Sequence, residues 1–175
     1  GNAAAQNIES FQQCFISSNL NTILTFTSQN VGAKKYKRAG NTIRNAWLWG
    51  MTGTFILGIL TVLFRFPLLS LFTTSDEVVA VAVRRLIPIV MLEFLGVTMD
   101  ATASALRGFG YSVEPMIITL LGSCVFRIIW LNTVFVLFPY YEVIIIVWPV
   151  SWVVTAFANF LYYKKIRKNF PDEDM

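Results

Sequence analysis

Residues 46–63 read AWLWGMTGTFILGILTVL, a run with no Asp, Glu, Lys or Arg. Wound as a helix at about 1.5 Å per residue, it covers about 27 Å, close to the roughly 30 Å hydrocarbon core of a bilayer. Trp47 and Trp49 stand near its start, where an interfacial aromatic belt would place them. The rest of the chain has the same character. Of its 175 residues 55% are hydrophobic and only 14% charged, and the mean hydropathy is +0.60. Soluble domains carry about a quarter of their residues charged. An all-α membrane protein is the expected class.

Working outward, runs at about 8–28, 44–66, 85–107, 115–138 and 142–163 predict five transmembrane helices joined by short loops, so that each returns antiparallel to the one before. Residues 1–168 form the helical bundle on this reading, and 169–175 a cytoplasmic tail. The first run, FQQCFISSNLNTILTFT at 11–27, is too rich in Ser, Thr, Asn and Gln to face lipid all round, and is expected to line an interior. Within it Gln12, Gln13, Asn19 and Asn21 could contact a substrate or bond neighbouring helices. The fourth run holds Arg127 near its middle, and the fifth holds Pro149, which predicts a kink. Cys14 and Cys124 have no useful pairing spacing and read as buried free thiols. The first residue is Gly and nothing near it resembles a leader peptide, so the chain reads as a piece of a longer polypeptide.

Sidedness follows from Lys and Arg, which stay on the cytoplasmic side of short loops. The first loop region holds Lys34, Lys35, Lys37, Arg38 and Arg44, and the C-terminal end holds Lys164, Lys165, Arg167 and Lys168. With Arg107 these make ten of the fourteen basic residues, all on one side by alternation, against Arg65, Arg84 and Arg85 on the other. The C-terminus is therefore expected in the cytoplasm of an integral membrane protein.

Several activities are disfavoured by what is missing. There is no His, so serine triads and HExxH zinc sites cannot be assembled from this chain. The string nearest to an intramembrane aspartyl protease loop is GFGY at 108–111, which lacks the acid, and no phosphate-binding or dinucleotide glycine fingerprint occurs. No catalytic residue, resident metal or cofactor is expected. A net charge of +4 is slight grounds for a nucleic-acid partner, and none is expected.

Two motifs carry a family resemblance. SQNVGAKKYKRA at 28–39 is similar to the GQNxGAxxxxRA signature of the multidrug and toxic compound extrusion (MATE) family, with Ser28 in place of the usual Gly. Its matching residues are Gln29, Asn30, Gly32, Ala33 and Arg38. ASALRGFGYSVEP at 103–115 resembles the same family's LRGxGxxxxP segment, through Arg107, Gly108, Gly110 and Pro115. The resemblance covers nearly the whole chain. It implies the eighth to twelfth helices of a MATE-type transporter, most of its C-terminal six-helix bundle. It also implies an N-terminal bundle of the same polypeptide as partner, a prokaryotic plasma membrane, and exchange of small organic cations or drugs for Na⁺ or H⁺.

The third run, LIPIVMLEFLGVTMDATASAL at 86–106, supplies the candidates for that chemistry. Glu93 and Asp100 are seven apart and fall within about 20° of one helix face, with Gly96, Ser104 and Arg107 close to the same stripe. Charged side chains inside a span face protein or water and are costly elsewhere. Glu93 and Arg127 lie at similar depth on either side of the hairpin near Tyr111, which predicts an ion pair. Asp100 then remains without a basic partner at its level and is the expected coupling or substrate-contact residue, with a structural hydrogen-bonded acid as the alternative. Family members that use an acid on this helix for Na⁺ carry it four residues earlier, where this chain has Gly96. Others carry the coupling acid in the N-terminal bundle. A lipid-linked saccharide flippase of the same superfamily, or a fragment without transport of its own, are the other readings.

Overall fold

The apolar runs become helices longer than the spans they contain. A computed structural model describes residues 2–72 and 75–171, so the end of the expected tail, from 172 on, lies outside the described residues. The order is α1 (Asn2–Gly32), α2 (Tyr36–Leu63), α3 (Arg65–Ser70), α4 (Asp76–Gly108), α5 (Val113–Thr119), a π-helical turn (Leu120–Val125), α6 (Phe126–Leu137) and α7 (Tyr141–Arg167). No strand occurs among the described residues. Three helical stretches are long and apolar enough to cross a membrane: Tyr36–Leu63, Val113–Leu137 and Tyr141–Arg167. The helices α1 and α4 are as long, at 31 and 33 residues, but carry the polar and ionisable side chains noted above.

The helix α4 is central and packs against α1, α2 and α7. Its small residues set the approach distances. A Cβ on Gly58 of α2 would lie 2.6 Å from the Val90 carbonyl oxygen, and one on Gly108 would lie 2.6 Å from Thr27 Cβ. Close backbone approach at small residues is how helices associate where lipid tails remove the hydrophobic drive. Outward faces are apolar: Phe55, Ile56, Ile128, Ile129, Phe157 and Leu161 are all more than a third exposed, as suits an acyl environment and not water.

Both family motifs build the end of the bundle where α1 stops and α2 begins. The helix α1 closes with Lys34 N–H on the Val31 carbonyl at 3.0 Å and Lys35 N–H on the Asn30 carbonyl at 2.8 Å. The helix α4 closes in the same way, through Gly110 N–H to Arg107 O at 2.9 Å and Tyr111 N–H to Leu106 O at 3.1 Å. These are paired C-terminal bonds around a left-handed residue. Gly110 holds φ +93° and Lys34 holds φ +59°. Ala39 of the first motif then packs with Leu106 and Phe109 of the second and with Ile166 of α7. Pro115 is buried, while Gln29, Gly32, Ala33, Arg38 and Arg107 are exposed.

Two expectations need correction. Cys14 and Cys124 are free but exposed, because Cys14 sits on the polar outer face of α1 and Cys124 on the outer side of the π turn. The second, an ion pair, belongs to the site below. Trp47 is half-buried, and its Nε1–H donates to Thr98 Oγ1 of α4 at 3.2 Å. Pro149 lies inside α7 and Pro88 inside α4, each within one continuous helix.

Candidate functional site

Polar side chains gather in the cleft where α1, α4 and α7 meet. The ring of α4 residues that faces this cleft carries Arg85, Ile89 and Glu93, and α1 brings Gln6, Glu9 and Gln13 to it. Trp148 and Trp152 of α7 complete a cavity of about 440 Å³. The two indoles meet edge to face, with centroids 6.4 Å apart. Gly96 lies under the Trp152 ring, which a Cβ there would meet at 3.4 Å, an ordinary packing contact.

Glu93 is the central group. It is 4% exposed, its Oε1 accepts a hydrogen bond from Gln13 Nε2, and its Oε2 has no partner among the described residues. A buried carboxylate oxygen that has no partner in the fold keeps the capacity to accept a proton, a water or a cation. At one end of the cleft Arg85 donates to Glu9 through Nε and Nη2, both at 3.2 Å, with each side chain mostly buried. That fork cancels the charge of the cavity's basic side chain.

The Glu93–Arg127 pair expected from matched depth does not form. Arg127 Nε donates to Ser151 Oγ of α7 at 2.9 Å, and its guanidinium lies over the Trp148 ring at 3.9 Å. The physical reason is which helix each residue faces. Glu93 looks towards α1, where Gln13 reaches it, whereas α5 and α6 pack on α7 and carry Arg127 to the far side of Trp148. Equal depth fixed the level and left the azimuth free.

Asp100 lies about 10 Å along α4 from Glu93. It is half-buried, has no hydrogen-bond or ion-pair partner among the described residues, and sits in the field of Arg107. The structure thus puts Glu93 and Asp100 on one face of α4 without joining them. The outer face of α1 continues this polar surface, with Asn7, Ser10, Ser17, Asn21 and Ser28 exposed along a helix of spanning length. Among the other α1 residues, Gln12 Nε2 donates to the Thr54 carbonyl at 3.3 Å and Asn19 Nδ2 to the Ala46 carbonyl at 3.0 Å. These two bind neighbouring helices.

Sequence reasoning missed the Glu9–Arg85 fork and the partnership of Gln13 with Glu93. A signal existed: Glu9 and Gln13 are four apart and share a face of α1, directly opposite a helix with a charge at 85 and another at 93. It also missed the π turn, which brings Gly122 against Thr155. Such turns widen a helix locally and occur often at functional sites.

A family model described as MatE matches residues 1–132. Over 145 residues the chain is 28% identical to a protein described as "Probable multidrug resistance protein NorM" from Thermotoga maritima, an alignment that takes in 81% of this chain and 30% of that protein. The chain thus spans about a third of the length of the curated relative it matches.

Proposed function

The chain belongs to the MatE family, and from that premise we propose that it is part of a secondary active transporter that exports organic cations or drugs in exchange for Na⁺ or H⁺. In this reading α1, α2, α4, the α5 to α6 stretch and α7 cross the bilayer as five spans. Residues 1–168 make up most of a C-terminal six-helix bundle, and the C-terminus lies in the cytoplasm of a prokaryotic cell. The polar face of α1 is covered by, or shares a wet cavity with, an N-terminal bundle of the same polypeptide. The relative's greater length and its description support this.

The observation that carries the proposal is Glu93, a buried carboxylate that lines a cavity walled by two indoles and whose Oε2 has no partner among the described residues. Carboxylate and aromatic face together suit an organic cation, the first by charge and the second by the ring quadrupole. Protonation or Na⁺ binding at the same carboxylate removes the charge that holds the cation, so the two compete and one gradient drives the other. Asp100, along the same face, offers a second station. A flippase of lipid-linked saccharides would want basic groups free in the cavity, and here Arg85 is tied to Glu9.

The test is uptake of a fluorescent organic cation by vesicles holding the full-length parent, with a Na⁺ gradient and a pH gradient imposed separately. Wild type is compared with Glu93→Gln and Asp100→Asn. At least one variant is expected to lose gradient-driven uptake while keeping its folded yield. Full uptake in both would remove this helix from the coupling mechanism.

A further inference from the structure

A second cavity lies on the opposite side of α4 from the polar cleft. It is a groove of about 550 Å³ between α2 and α7, lined almost wholly by apolar atoms. Its floor is the α4 sequence Thr98, Ala101, Thr102 and Ala105, all small, recurring at helical spacing. One wall holds Ile43 and Trp47 of α2, and the other Phe157 and Phe160 of α7. Next to Leu95, at the start of the floor, Phe94 of α4 meets Phe55 of α2 edge to face with centroids 5.7 Å apart.

Depth and charge decide what fits. From Leu95 to Ala105 on the floor, and from Val153 to Tyr163 on the wall, the groove is ten residues long, about 15 Å, which is half of a roughly 30 Å hydrocarbon core. One lipid leaflet has that depth. A further spanning helix would run about twice that length. Both wall helices carry a basic side chain. Arg44 lines the groove from α2 with no acidic partner among the described residues, and Lys164 folds its ammonium over the Phe160 ring at 4.8 Å.

We propose that this groove holds one acyl chain of an anionic phospholipid, drawn from the leaflet on the side of the α1–α2 turn, with its phosphate between Arg44 and Lys164. Basic pockets between transmembrane helices recognise anionic headgroups in this way. The proposal rests on α2, α4 and α7 spanning the bilayer, as proposed above, and is independent of which side is cytoplasmic.

The experiment uses the full-length parent in phosphatidylcholine vesicles with a trace of phosphatidylglycerol bearing a photoactivatable diazirine in its acyl chain. Cross-linked peptides are mapped by mass spectrometry. Labelling is expected to concentrate on α4 between Thr98 and Ala105 and on the facing walls, and unlabelled phosphatidylglycerol should compete better than phosphatidylcholine. Arg44→Ala should reduce that preference about fivefold, the effect of one basic group near an anionic surface. Thr102→Phe, which fills the floor, should remove groove labelling. Labelling spread as densely over the exposed face of α6, equal competition by the two lipids, or an unlabelled groove covered by another part of the polypeptide would each overturn the proposal. Alkaline extraction separates the causes: a protein that washes out of the vesicles refutes the spanning reading itself, whereas one that stays embedded with uniform labelling refutes only the groove.

Discussion

Arg85 of α4 grips Glu9 of α1 with both ends of its guanidinium fork, each contact 3.2 Å, and so ties together two helices whose sequence positions lie 76 apart. Side-chain exposures of 19% and 13% put the pair between the surface and buried regimes. Glu9→Gln should therefore cost roughly 1–3 kcal/mol, read as a lowered thermal midpoint in detergent. The reversed pair, Glu9→Arg with Arg85→Glu, should recover most of the loss. An unshifted midpoint in Glu9→Gln would show the fork to be energetically idle.

The neighbouring contact predicts an unequal result at its two ends. Gln13 Nε2 donates to Glu93 Oε1, so Glu93→Gln keeps an acceptor in place and folded yield should stay near wild type. Gln13→Leu strips the carboxylate of its partner and should cost about 2 kcal/mol, the usual penalty for a buried polar group left alone. Yields falling in the opposite order would place the partner of Glu93 elsewhere.

Two helix ends share one bonding pattern but differ in the residue at the left-handed position, Lys34 at φ +59° and Gly110 at φ +93°. A side chain there costs about 1–2 kcal/mol relative to glycine. Lys34→Gly should raise stability by about 1 kcal/mol, and Gly110→Ala should lower it by about as much. Chemical denaturation of the pair checks both signs at once.

Glycines inside α2 separate packing from propensity. Gly58→Ala would drive a methyl to 2.6 Å from the Val90 carbonyl, and the overpacking should cost about 1–3 kcal/mol. Gly40→Ala meets nothing within 4 Å and should gain about 0.5–1 kcal/mol from helix propensity. Thermal midpoints moving the same way in both variants would mean that α2 and α4 do not approach as described.

Much of this was legible in one dimension. Apolar run length gave the helical segments, because a helix in lipid must satisfy its own backbone and therefore needs an unbroken stretch of known length. The family was legible from 28–39 and 103–115, since the turn chemistry of residues such as Gly110 is local. Glu93 and Asp100 stood out because an ionisable group in an apolar span is conspicuous wherever the helix finally packs.

Partners were another matter. Hydropathy says that Glu93 must avoid lipid and is silent on which neighbour it meets, so depth alone suggested Arg127 where the fold supplies Gln13. Trp47 reads from its position as an interfacial anchor, and the rotation of α2 adds a partner for its ring nitrogen that position does not show, Thr98 of α4. The run of small residues on α4 is unremarkable until α2 and α7 stand on either side and leave it as the floor of a groove. Sequence by itself determined the helical class and which ionisable side chains interrupt the apolar runs, because a run in lipid must bond its backbone within one helix. Tertiary structure alone decided which faces meet, because the rotation of each helix about its axis is fixed by close contacts between residues far apart in the chain.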